Sequence, residues 1–438
     1  MISTMRYYNT NNRTEFSTLE QAVMQGRAHD GGLFMPEHIP QLPQAFINNM
    51  SMMTLQEISY AVANFALQGD VDSEKLKEII DDTLNFEIPL VQVDDNRFSL
   101  ELYHGPTMSS KDVGARFMGR LLSYFATKHG KEVTVLVATT GNSGGAVANG
   151  CFNRPGVRVV VLYPQDALDN LQEAQFTTMG GNVTAIEVNG SLEDCRNMIM
   201  EAFADQDLKG RISLTSARSV NIARLMPQMF YYFYAIAQLQ RQGRPLNKVV
   251  ISLPCGNLGN LTAGVMAKRM GLPLKRFIAA DNANDVFTRY LRTGHFEPRS
   301  MVQTLAKAID VGNPRNFPRI LDLFGGSHDA IVSEVQGVAL SDSEIHDSIR
   351  RLWRDRRYLA DPHGALALEA LRRLLHPGET GIALATAHPA KYLDTVETAL
   401  EQSIPIPNAM LQYLRGTRHV VSMNSGYASL RRFLLSAN

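Results

Sequence analysis

The pattern of apolar and polar residues changes at about residue 131. From there, short apolar runs alternate with stretches of helical period and glycine-rich connectors, and the runs are VTVLVA, VRVVVLY, VTAIEV, KVVISLP, RFIAA and IALATA. Runs this short and this rich in β-branched residues are typical of strands buried on both faces. Strands separated by helices predict parallel sheets covered by helices, which is an α/β fold.

Residues 1 to about 95 follow a different pattern, mixed and mostly helical. They contain the proline-punctuated segment GLFMPEHIPQLPQ and the helix-like segment VDSEKLKEIIDDTLNF. A chain of 438 residues is too long for one compact core, so the change of pattern predicts two or three domains.

Composition excludes several classes of partner. Acidic and basic residues cancel at 43 each, and no charged block interrupts the chain, so nothing favours a nucleic-acid or anionic-membrane partner. The first residues lack the apolar core of a signal peptide, and no apolar run approaches membrane-spanning length. The three cysteines (Cys151, Cys195 and Cys255) match no metal-binding pattern, so we expect a cytoplasmic protein without a metal site.

Two of the predicted strands lead directly into loops of small residues. VTVLVA precedes TTGNSGGA (139–146), and KVVISLP precedes CGNLGN (255–260), which is followed by a helical segment. Backbone N–H groups at a helix start attract carboxylates and phosphates. Neither loop matches a Walker or dinucleotide-binding motif. Each alone could be an ordinary strand–helix turn, but the two together favour two anion sites.

Lys111 lies in the segment HGPTMSSKD. Ser109 or Ser110 is a plausible N-cap, and the apolar residues that follow with helical spacing are Val113, Phe117, Leu121 and Phe125. Lys111 would then lie in the first turn, where the helix dipole disfavours a cation. The same field lowers the pKa of an amine and so suits one that must be neutral to form a Schiff base. Most lysines are nevertheless surface charges.

Lys391, in ATAHPAKY, is the competing candidate. It also follows a predicted strand, and His388 and Pro389 precede it closely. It could be a second active-site amine or simply a residue at a helix start.

An ordered set of motifs spans nearly the whole chain. The motifs are DGGLFMPE, ELYHGPTMSSKD, ATTGNSGGA, NIARL, PCGNLGNLTAGVMAKRMGLP, NPRNFPRI, DPHGALALEAL and ATAHPAKY. With them the chain resembles the threonine synthases of the bacterial and fungal type, which are fold type II pyridoxal-phosphate enzymes. The resemblance implies conversion of O-phospho-L-homoserine and water into L-threonine and phosphate, by γ-elimination and β-addition.

The resemblance also implies a role for particular residues. Lys111 matches the lysine that binds pyridoxal phosphate as a Schiff base and then moves protons. The residues implied to bind the cofactor are Lys111, Asn142, Gly256, Asn257, Leu258, Gly259, Asn260 and Thr386. Thr386 would face the pyridine nitrogen, and residues 256–260 would hold the cofactor phosphate. The residues implied to bind substrate are His104, Thr140, Ser143, Ser216, Arg218, Asn221 and Arg224.

The implied architecture has three parts, in a monomer or homodimer. A mixed N-terminal domain would cover residues 1–95, and a large cofactor domain residues 96–114 and 246–438. A smaller α/β domain of residues 115–245 would close over the substrate.

Several positions depart from the family pattern. Met108, Ser109 and Ser110 precede the lysine, Arg218 stands where asparagine is usual, and Asp281 stands at a usually neutral position. These changes are either neutral drift or signs of a paralogue acting on another phosphorylated or phosphonate amino acid. A non-catalytic binding protein is the remaining alternative, against which the retained Lys111 argues. Cys255 could be redox-sensitive, although a small buried cysteine is the simpler interpretation.

Overall fold

The computed structural model describes residues 4–168 and 170–436. Its strands, in chain order, are β1 (Tyr7–Asn9), β2 (Asn12–Ser17), β3 (Phe34–Pro36), β4 (Leu90–Gln92), β5 (Arg97–Glu101), β6 (Val133–Ala138), β7 (Val157–Pro164), β8 (Val183–Asn189), β9 (Ser213–Ser216), β10 (Val249–Pro254), β11 (Arg276–Asp281), β12 (Val335–Ala339), β13 (Thr380–Ala385) and β14 (Val420–Asn424).

The α-helices, in chain order, are α1 (Leu19–Gln25), α2 (Gln44–Asn49), α3 (Leu55–Leu67), α4 (Ser73–Thr83), α5 (Lys111–Lys128), α6 (Asn142–Cys151), α7 (Asn170–Thr177), α8 (Leu192–Ala204), α9 (Gln206–Arg211), α10 (Ile222–Leu225), α11 (Gln228–Arg241), α12 (Gly259–Arg269), α13 (Val286–Thr293), α14 (Phe317–Leu323), α15 (His328–Glu334), α16 (Asp342–Arg356), α17 (Pro362–Leu374), α18 (Leu393–Leu400), α19 (Asn408–Leu414) and α20 (Tyr427–Ser436). Short 3-10 helices cover Met50–Met52, Lys307–Ile309 and Pro389–Tyr392.

Two α/β sheets and a small N-terminal sheet make up the fold. The N-terminal sheet is antiparallel, with the strand order β2-β1-β3. The larger sheet has six strands in the order β12-β11-β10-β13-β5-β4, and the smaller has five in the order β14-β8-β7-β6-β9. The predicted α/β fold is therefore confirmed.

The five-stranded sheet is parallel throughout, whereas the six-stranded sheet has one antiparallel edge strand. This edge strand, β4, is joined to β5 by the short turn 93–96. The N–H of Val93 donates to the carbonyl of Arg97 at 2.9 Å. A connection this short can only form a hairpin, so an antiparallel pair results.

The central strands of the two larger sheets are buried on both faces. In β6, Val133, Val135 and Val137 face the cluster between the two sheets, whereas Leu136 faces a second cluster against α8 and α20. Each such side chain, fully buried, contributes about 1.5–3 kcal/mol. Burial on both faces explains why these strands are continuous apolar runs in the sequence.

Helix α5 follows the loop of residues 102–110 that precedes Lys111. Its apolar face is buried in the central cluster, as predicted, through Val113, Phe117, Leu121 and Phe125. The helix begins at Lys111 with Ser110 as N-cap, but Ser110 makes no side-chain capping hydrogen bond. The lysine lies in the first turn.

The C-terminal strand joins a distant part of the chain. β14 pairs in parallel with β8, although the sequence placed its residues in the large cofactor domain. The division into domains stays a prediction. In the described part of the chain no helix is both long enough and apolar enough to cross a membrane.

Candidate active site

A cavity of about 640 Å³ opens where strands of both parallel sheets end. Ala138, Ser216 and Pro254 are the last residues of β6, β9 and β10, and all three line it. Thr386, directly after β13, also lines it. Ligands of parallel α/β sheets bind at this edge, so the cavity is the candidate active site.

Most of the residues predicted to bind a ligand meet in this cavity. They are Lys111, Ser143, Ser216, Arg218, Arg224, Gly256, Asn257, Leu258, Gly259, Asn260 and Thr386. The other four predicted residues do not line it, and these are His104, Thr140, Asn142 and Asn221. The role of each residue in ligand binding stays a prediction.

Lys111 is half-buried in the cavity wall. Within the described part of the chain, its amine has no hydrogen-bond or ion-pair partner. Burial, with a smaller contribution from the positive charge of Arg224, lowers the pKa of Lys111 to about 8. Near neutral pH an appreciable fraction of this amine is therefore neutral and able to act as a nucleophile.

The loop before Lys111 is fixed by contacts on two sides. The backbone N–H of Thr107 donates to the buried carboxylate of Asp112 at 2.9 Å. Met108 has a left-handed φ of 55°, which is unfavourable for a non-glycine residue by roughly 1–3 kcal/mol. Its carbonyl accepts a hydrogen bond from the N–H of His388 at 3.1 Å. The segment after β13 therefore helps to hold this residue in its strained conformation.

The loop of residues 256–260 presents its backbone to the cavity. Within the described part of the chain, none of its backbone N–H groups donates a hydrogen bond to the protein. Leu258 has a left-handed φ of 58°. A Cβ atom on Gly256 would lie only 2.8 Å from the Cα of Ile309, so glycine is required there. The unused donors and the start of α12 are arranged as a cradle that could bind an anion, and its ligand stays a prediction.

The two asparagine side chains of this cradle bind protein groups. Asn257 donates to the hydroxyl of Ser219 at 2.7 Å and accepts from the backbone N–H of Arg315 at 2.6 Å. Asn260 accepts from the hydroxyls of Tyr231 and Tyr232 at 2.6 and 2.8 Å. The amide of Asn257 is therefore engaged at both ends, whereas the amide nitrogen of Asn260 donates to no group in the described residues and could meet an anion in the cradle.

The loop of residues 139–145 is a second set of unused donors. The hydroxyl of Thr139 accepts from the N–H groups of Gly141 and Gly144. The N–H groups of Thr140, Asn142 and Ser143 donate to no group in residues 4–168 or 170–436. These three N–H groups can bind a carboxylate.

The amide of Asn142 is buried and only half satisfied. Its nitrogen donates to the hydroxyl of Tyr392 at 3.1 Å, while its oxygen has no partner among the described groups. The two ends of an amide are distinguished only by the hydrogen-bond network. One further polar ligand atom would therefore satisfy Asn142 in either orientation.

Two arginines bring unpaired positive charge to the cavity. Arg224 is buried, its guanidinium donates to the carbonyl of Ala217 at 2.7 Å, and burial lowers its pKa to about 10. The pKa of Arg218 is lowered first by burial and then by Arg315 and other arginines. In the described residues neither Arg218 nor Arg224 forms an ion pair with a carboxylate. A buried cation without a counter-charge is unfavourable, so an anionic ligand is expected here.

Two of the predicted residues that do not line the cavity have other contacts, and a third is exposed. Asn221 caps α10 by accepting from the N–H of Ala223 and donates to the carbonyl of Val23, each at 2.9 Å. His104 is exposed, and its ring lies 2.8 Å from a carboxylate oxygen of Glu101. Thr140 is exposed at the start of the second loop.

Lys391 lies outside the cavity and is fully engaged by the protein. Its side chain is buried, and its amine donates to the carbonyl of Thr107 at 2.7 Å and to the side-chain oxygen of Gln175 at 2.9 Å. These contacts favour a structural role and leave Lys111 as the reactive candidate.

Neither Asp281 nor Cys255 lines the cavity. Asp281 is buried and accepts from the N–H of Thr288 at 2.9 Å, and burial raises its pKa to about 7. Burial, and then Asp281, raise the pKa of the Cys255 thiol well above its usual value. This thiol is therefore unreactive, because the thiolate is disfavoured.

Several cavity residues were not predicted from the sequence. Arg196 on α8, Arg315 and the segment 308–312 all contribute to the wall. Arg315 and residues 308–312 follow no predicted strand, so the rule that located the two loops could not find them. The motif NPRNFPRI was the only sign that Arg315 is unusual.

Three family comparisons together match most of the chain. Residues 91–386 match the family described as pyridoxal-phosphate dependent enzyme. Residues 6–84 match the threonine synthase N terminus, and residues 364–434 match the threonine synthase C-terminal family.

Individual relatives match over almost the full length. The threonine synthase of Haemophilus influenzae is 40% identical over 433 residues, covering 99% of this chain and 100% of the relative. The crystal structure of threonine synthase from Escherichia coli is similar with a TM-score of 0.89 and 37% identity, covering 99% of this chain and 100% of that chain. The structure of PLP-bound threonine synthase from Brucella melitensis is similar with a TM-score of 0.93 and 29% identity, covering 98% of both chains.

Proposed function

Because the chain belongs to the threonine synthase family of pyridoxal-phosphate-dependent enzymes, we propose that the cavity around Lys111 is its active site. The proposed reaction converts O-phospho-L-homoserine and water into L-threonine and phosphate. The observation that carries the proposal is that one cavity contains both Lys111 and the buried Arg224, and that among the described residues the lysine amine has no hydrogen-bond partner and the arginine no counter-charge.

The residues of the cavity suit pyridoxal phosphate. The unused N–H groups of residues 256–260 would hold its phosphate, and the amine of Lys111 would bind its aldehyde. The half-satisfied amide of Asn142 would meet the phenolic oxygen, and the neutral hydroxyl of Thr386 the ring nitrogen. When bound, the cofactor supplies a conjugated ring that takes up electrons as substrate C–H bonds break.

Lys111 is proposed to move the protons of the reaction. A lysine with an ordinary pKa would be almost wholly protonated at neutral pH, whereas the pKa of Lys111 is about 8. It can therefore both accept and donate a proton, which is what transfers at Cα and Cβ of the substrate require.

The arginines are proposed to bind the phosphate that leaves from Cγ. Arg224 is buried and fixed by its hydrogen bond to Ala217, so its charge is already in position before the bond breaks. Fixed positive charge beside a leaving group lowers the barrier without reorganisation. The N–H groups of Thr140, Asn142 and Ser143 are proposed to bind the substrate carboxylate.

The smaller sheet is proposed to close over the substrate. Because β14 pairs with β8 and α20 packs against α8, we include both elements with residues 115–245 in the moving unit. Closure would exclude water until the addition step. A cytoplasmic location agrees with the cysteines, which are all free and buried.

One assay tests the proposed reaction. Purified protein loaded with pyridoxal phosphate is incubated with O-phospho-L-homoserine, and threonine, 2-oxobutyrate and inorganic phosphate are measured. We expect threonine and phosphate in equal amounts. Release of 2-oxobutyrate instead of threonine, or no turnover, would contradict the proposal.

A second candidate substrate class is favoured by Arg218. With Arg315 it adds positive charge to that of Arg224, which suits a larger or more acidic phosphorylated or phosphonate amino acid. The same assay distinguishes the two, because such a compound would then be turned over faster than O-phospho-L-homoserine.

A further inference from the structure

A buried histidine–aspartate pair lies at the start of α17, outside the cavity lining. Asp361 caps this helix by accepting from the N–H of Gly364 at 2.8 Å. The same carboxylate lies 2.6 Å from Nδ1 of His363. His363 is 0% exposed and Asp361 is 1% exposed. The helix cap alone would not require a histidine at this position.

The other ring nitrogen of His363 defines its tautomer. The backbone N–H of Ala308 donates to Nε2 of His363 at 3.1 Å. Nε2 must therefore be unprotonated, so the ring proton lies on Nδ1 and is donated to Asp361. Asp361 thus fixes the form of the ring that can accept the hydrogen bond from Ala308.

Ala308 belongs to the wall of the cavity. Ala308, Ile309 and Asp310 all line it. Ile309 lies so close to Gly256 that a Cβ atom on this glycine would be 2.8 Å from the Cα of Ile309. The carboxylate of Asp310 accepts from the side-chain nitrogen of Asn282 at 2.8 Å. His363 therefore holds one end of the segment that supports the cradle, and Asn282 holds the other.

His363 also contacts the side of the site that carries Asn142. Its ring packs against Tyr392 with 4.8 Å between the ring centroids. The hydroxyl of Tyr392 accepts from the amide of Asn142 at 3.1 Å. One buried ring is therefore linked to both of the loops that present unused N–H groups.

From these contacts we propose that His363, oriented by Asp361, is a positioning residue that sets the phosphate cradle of residues 256–260 through Ala308 and Ile309. His363 does not line the cavity, so it would act through Ala308 rather than by touching a ligand. The inference rests on the proposed assignment of the cradle to the cofactor phosphate, and it adds the group that holds the cradle in place.

The variant Asp361→Asn tests the tautomer directly. The asparagine oxygen can still cap α17, but its NH₂ group would face Nδ1 and favour a proton on Nε2. That proton would oppose the N–H of Ala308, so the segment behind the cradle would shift. We expect the apo-protein to bind pyridoxal phosphate about tenfold more weakly, measured by titration of the cofactor absorbance.

Pyridoxal without its phosphate provides the second measurement. Because the cradle meets the phosphate, Asp361→Asn should lower the affinity for pyridoxal phosphate more than the affinity for pyridoxal. His363→Phe, which keeps a ring against Tyr392 and loses both hydrogen bonds, should give the same loss of preference. His363→Gln, which keeps an acceptor and a donor, should restore part of it.

Ser348→Ala is the matched control. The buried hydroxyl of Ser348 donates to the carbonyl of Ala365 on α17 at 3.0 Å, so its removal also weakens the packing of this helix. We expect lower thermal stability with an unchanged preference for the phosphorylated cofactor. An equal loss of preference in Ser348→Ala would overturn the inference, because general loosening of α17 would then explain it.

The inference would also be overturned if both Asp361→Asn and His363→Phe kept the preference of the unmodified protein for pyridoxal phosphate over pyridoxal. If one of these two variants fails to fold, the other is compared together with His363→Gln. If both of those proteins prefer pyridoxal phosphate over pyridoxal as strongly as the unmodified protein does, His363 has no positioning role. Turnover of O-phospho-L-homoserine is not used, so failure of the proposed reaction is distinguished from failure of this inference.

Discussion

The segments that carry Lys111 and Lys391 follow neighbouring strands, but they place the two amines in different environments. β5 and β13 are parallel neighbours, so both segments leave the same edge of the large sheet. They also pair with each other, since the N–H of Ser110 donates to the carbonyl of Thr386 at 2.8 Å. Yet the amine of Lys111 lies in the cavity with no protein partner in the described part of the chain, whereas that of Lys391 binds two oxygens.

The difference shows that position after a strand does not by itself identify a reactive lysine. Both lysines lie close to the same loop, because the carbonyl that Lys391 binds belongs to Thr107. The amine of Lys391 is held by these two hydrogen-bond acceptors inside the protein, away from the cavity. Lys111 has no such acceptor in the part of the chain that the structure describes, and burial favours its neutral form. Hydrogen-bond partners therefore distinguish the two lysines.

Replacing Lys111 should have the largest effect on turnover. Lys111→Ala removes both the amine that binds the cofactor and the group that moves protons, so we expect turnover at least about a thousandfold lower. The visible absorbance of the covalently bound cofactor should be lost as well. Borohydride reduction of the unmodified protein, followed by peptide mapping, should place the cofactor on the Lys111 peptide. A cofactor label on the Lys391 peptide would show that Lys391, and not Lys111, binds the cofactor.

The sequence predicted the parts of this site that depend on local pattern. Apolar runs predicted the strands, and the spacing from Val113 to Phe125 predicted that a helix starts near Lys111. The two loops could be found because each directly follows a strand. All of these features arise from contacts between residues close together in the chain.

The parts that depend on distant contacts could not be predicted from local pattern. The burial of Lys391 requires Gln175, and the pairing of β14 with β8 joins segments more than two hundred residues apart. Arg315 reaches the cavity because its loop packs beside Asn257. No local period or motif spacing encodes these approaches, since they follow from how separate elements pack.

Replacing Arg224 should have the second largest effect. Arg224→Gln keeps a polar group but removes the buried charge proposed to bind phosphate, so we expect kcat/KM for O-phospho-L-homoserine to fall about a hundredfold. Steady-state kinetics with inorganic phosphate as inhibitor measures this, and phosphate should inhibit the variant less. Equal inhibition of the variant and the unmodified protein would show that Arg224 does not bind the phosphate.

The same variant should change the pH dependence of cofactor binding. Only the neutral amine of Lys111 attacks the aldehyde, so the association rate of pyridoxal phosphate with apo-protein should rise with pH and level off above about 8, the pKa of Lys111. An ordinary lysine would give a rate that rises up to about pH 10. Because the charge of Arg224 lowers this pKa, Arg224→Gln should move the plateau to higher pH. A plateau that stays in place would show that burial alone sets it.

Replacing Arg218 should have a smaller effect. Arg218 is half-buried and shares its region with Arg315, so part of the positive charge remains in Arg218→Asn. We expect KM for O-phospho-L-homoserine to rise less than about tenfold, with little change in kcat. A panel of phosphorylated and phosphonate amino acids measures selectivity. If the variant gains activity on O-phospho-L-homoserine, Arg218 serves a different substrate in this protein.

Replacing Lys391 should have the smallest effect on turnover and a clear effect on stability. In Lys391→Met the side-chain oxygen of Gln175 loses its donor and the carbonyl of Thr107 keeps only the amide of Gln175, so we expect the free energy of unfolding to fall by about 1–3 kcal/mol. The cofactor absorbance should persist at temperatures below the transition, because Lys111 is unchanged. Denaturant unfolding and absorbance of the same samples measure both quantities. Loss of the absorbance in a folded variant would mean that Lys391 acts on the cofactor, and the contrast between the two lysines would then fail.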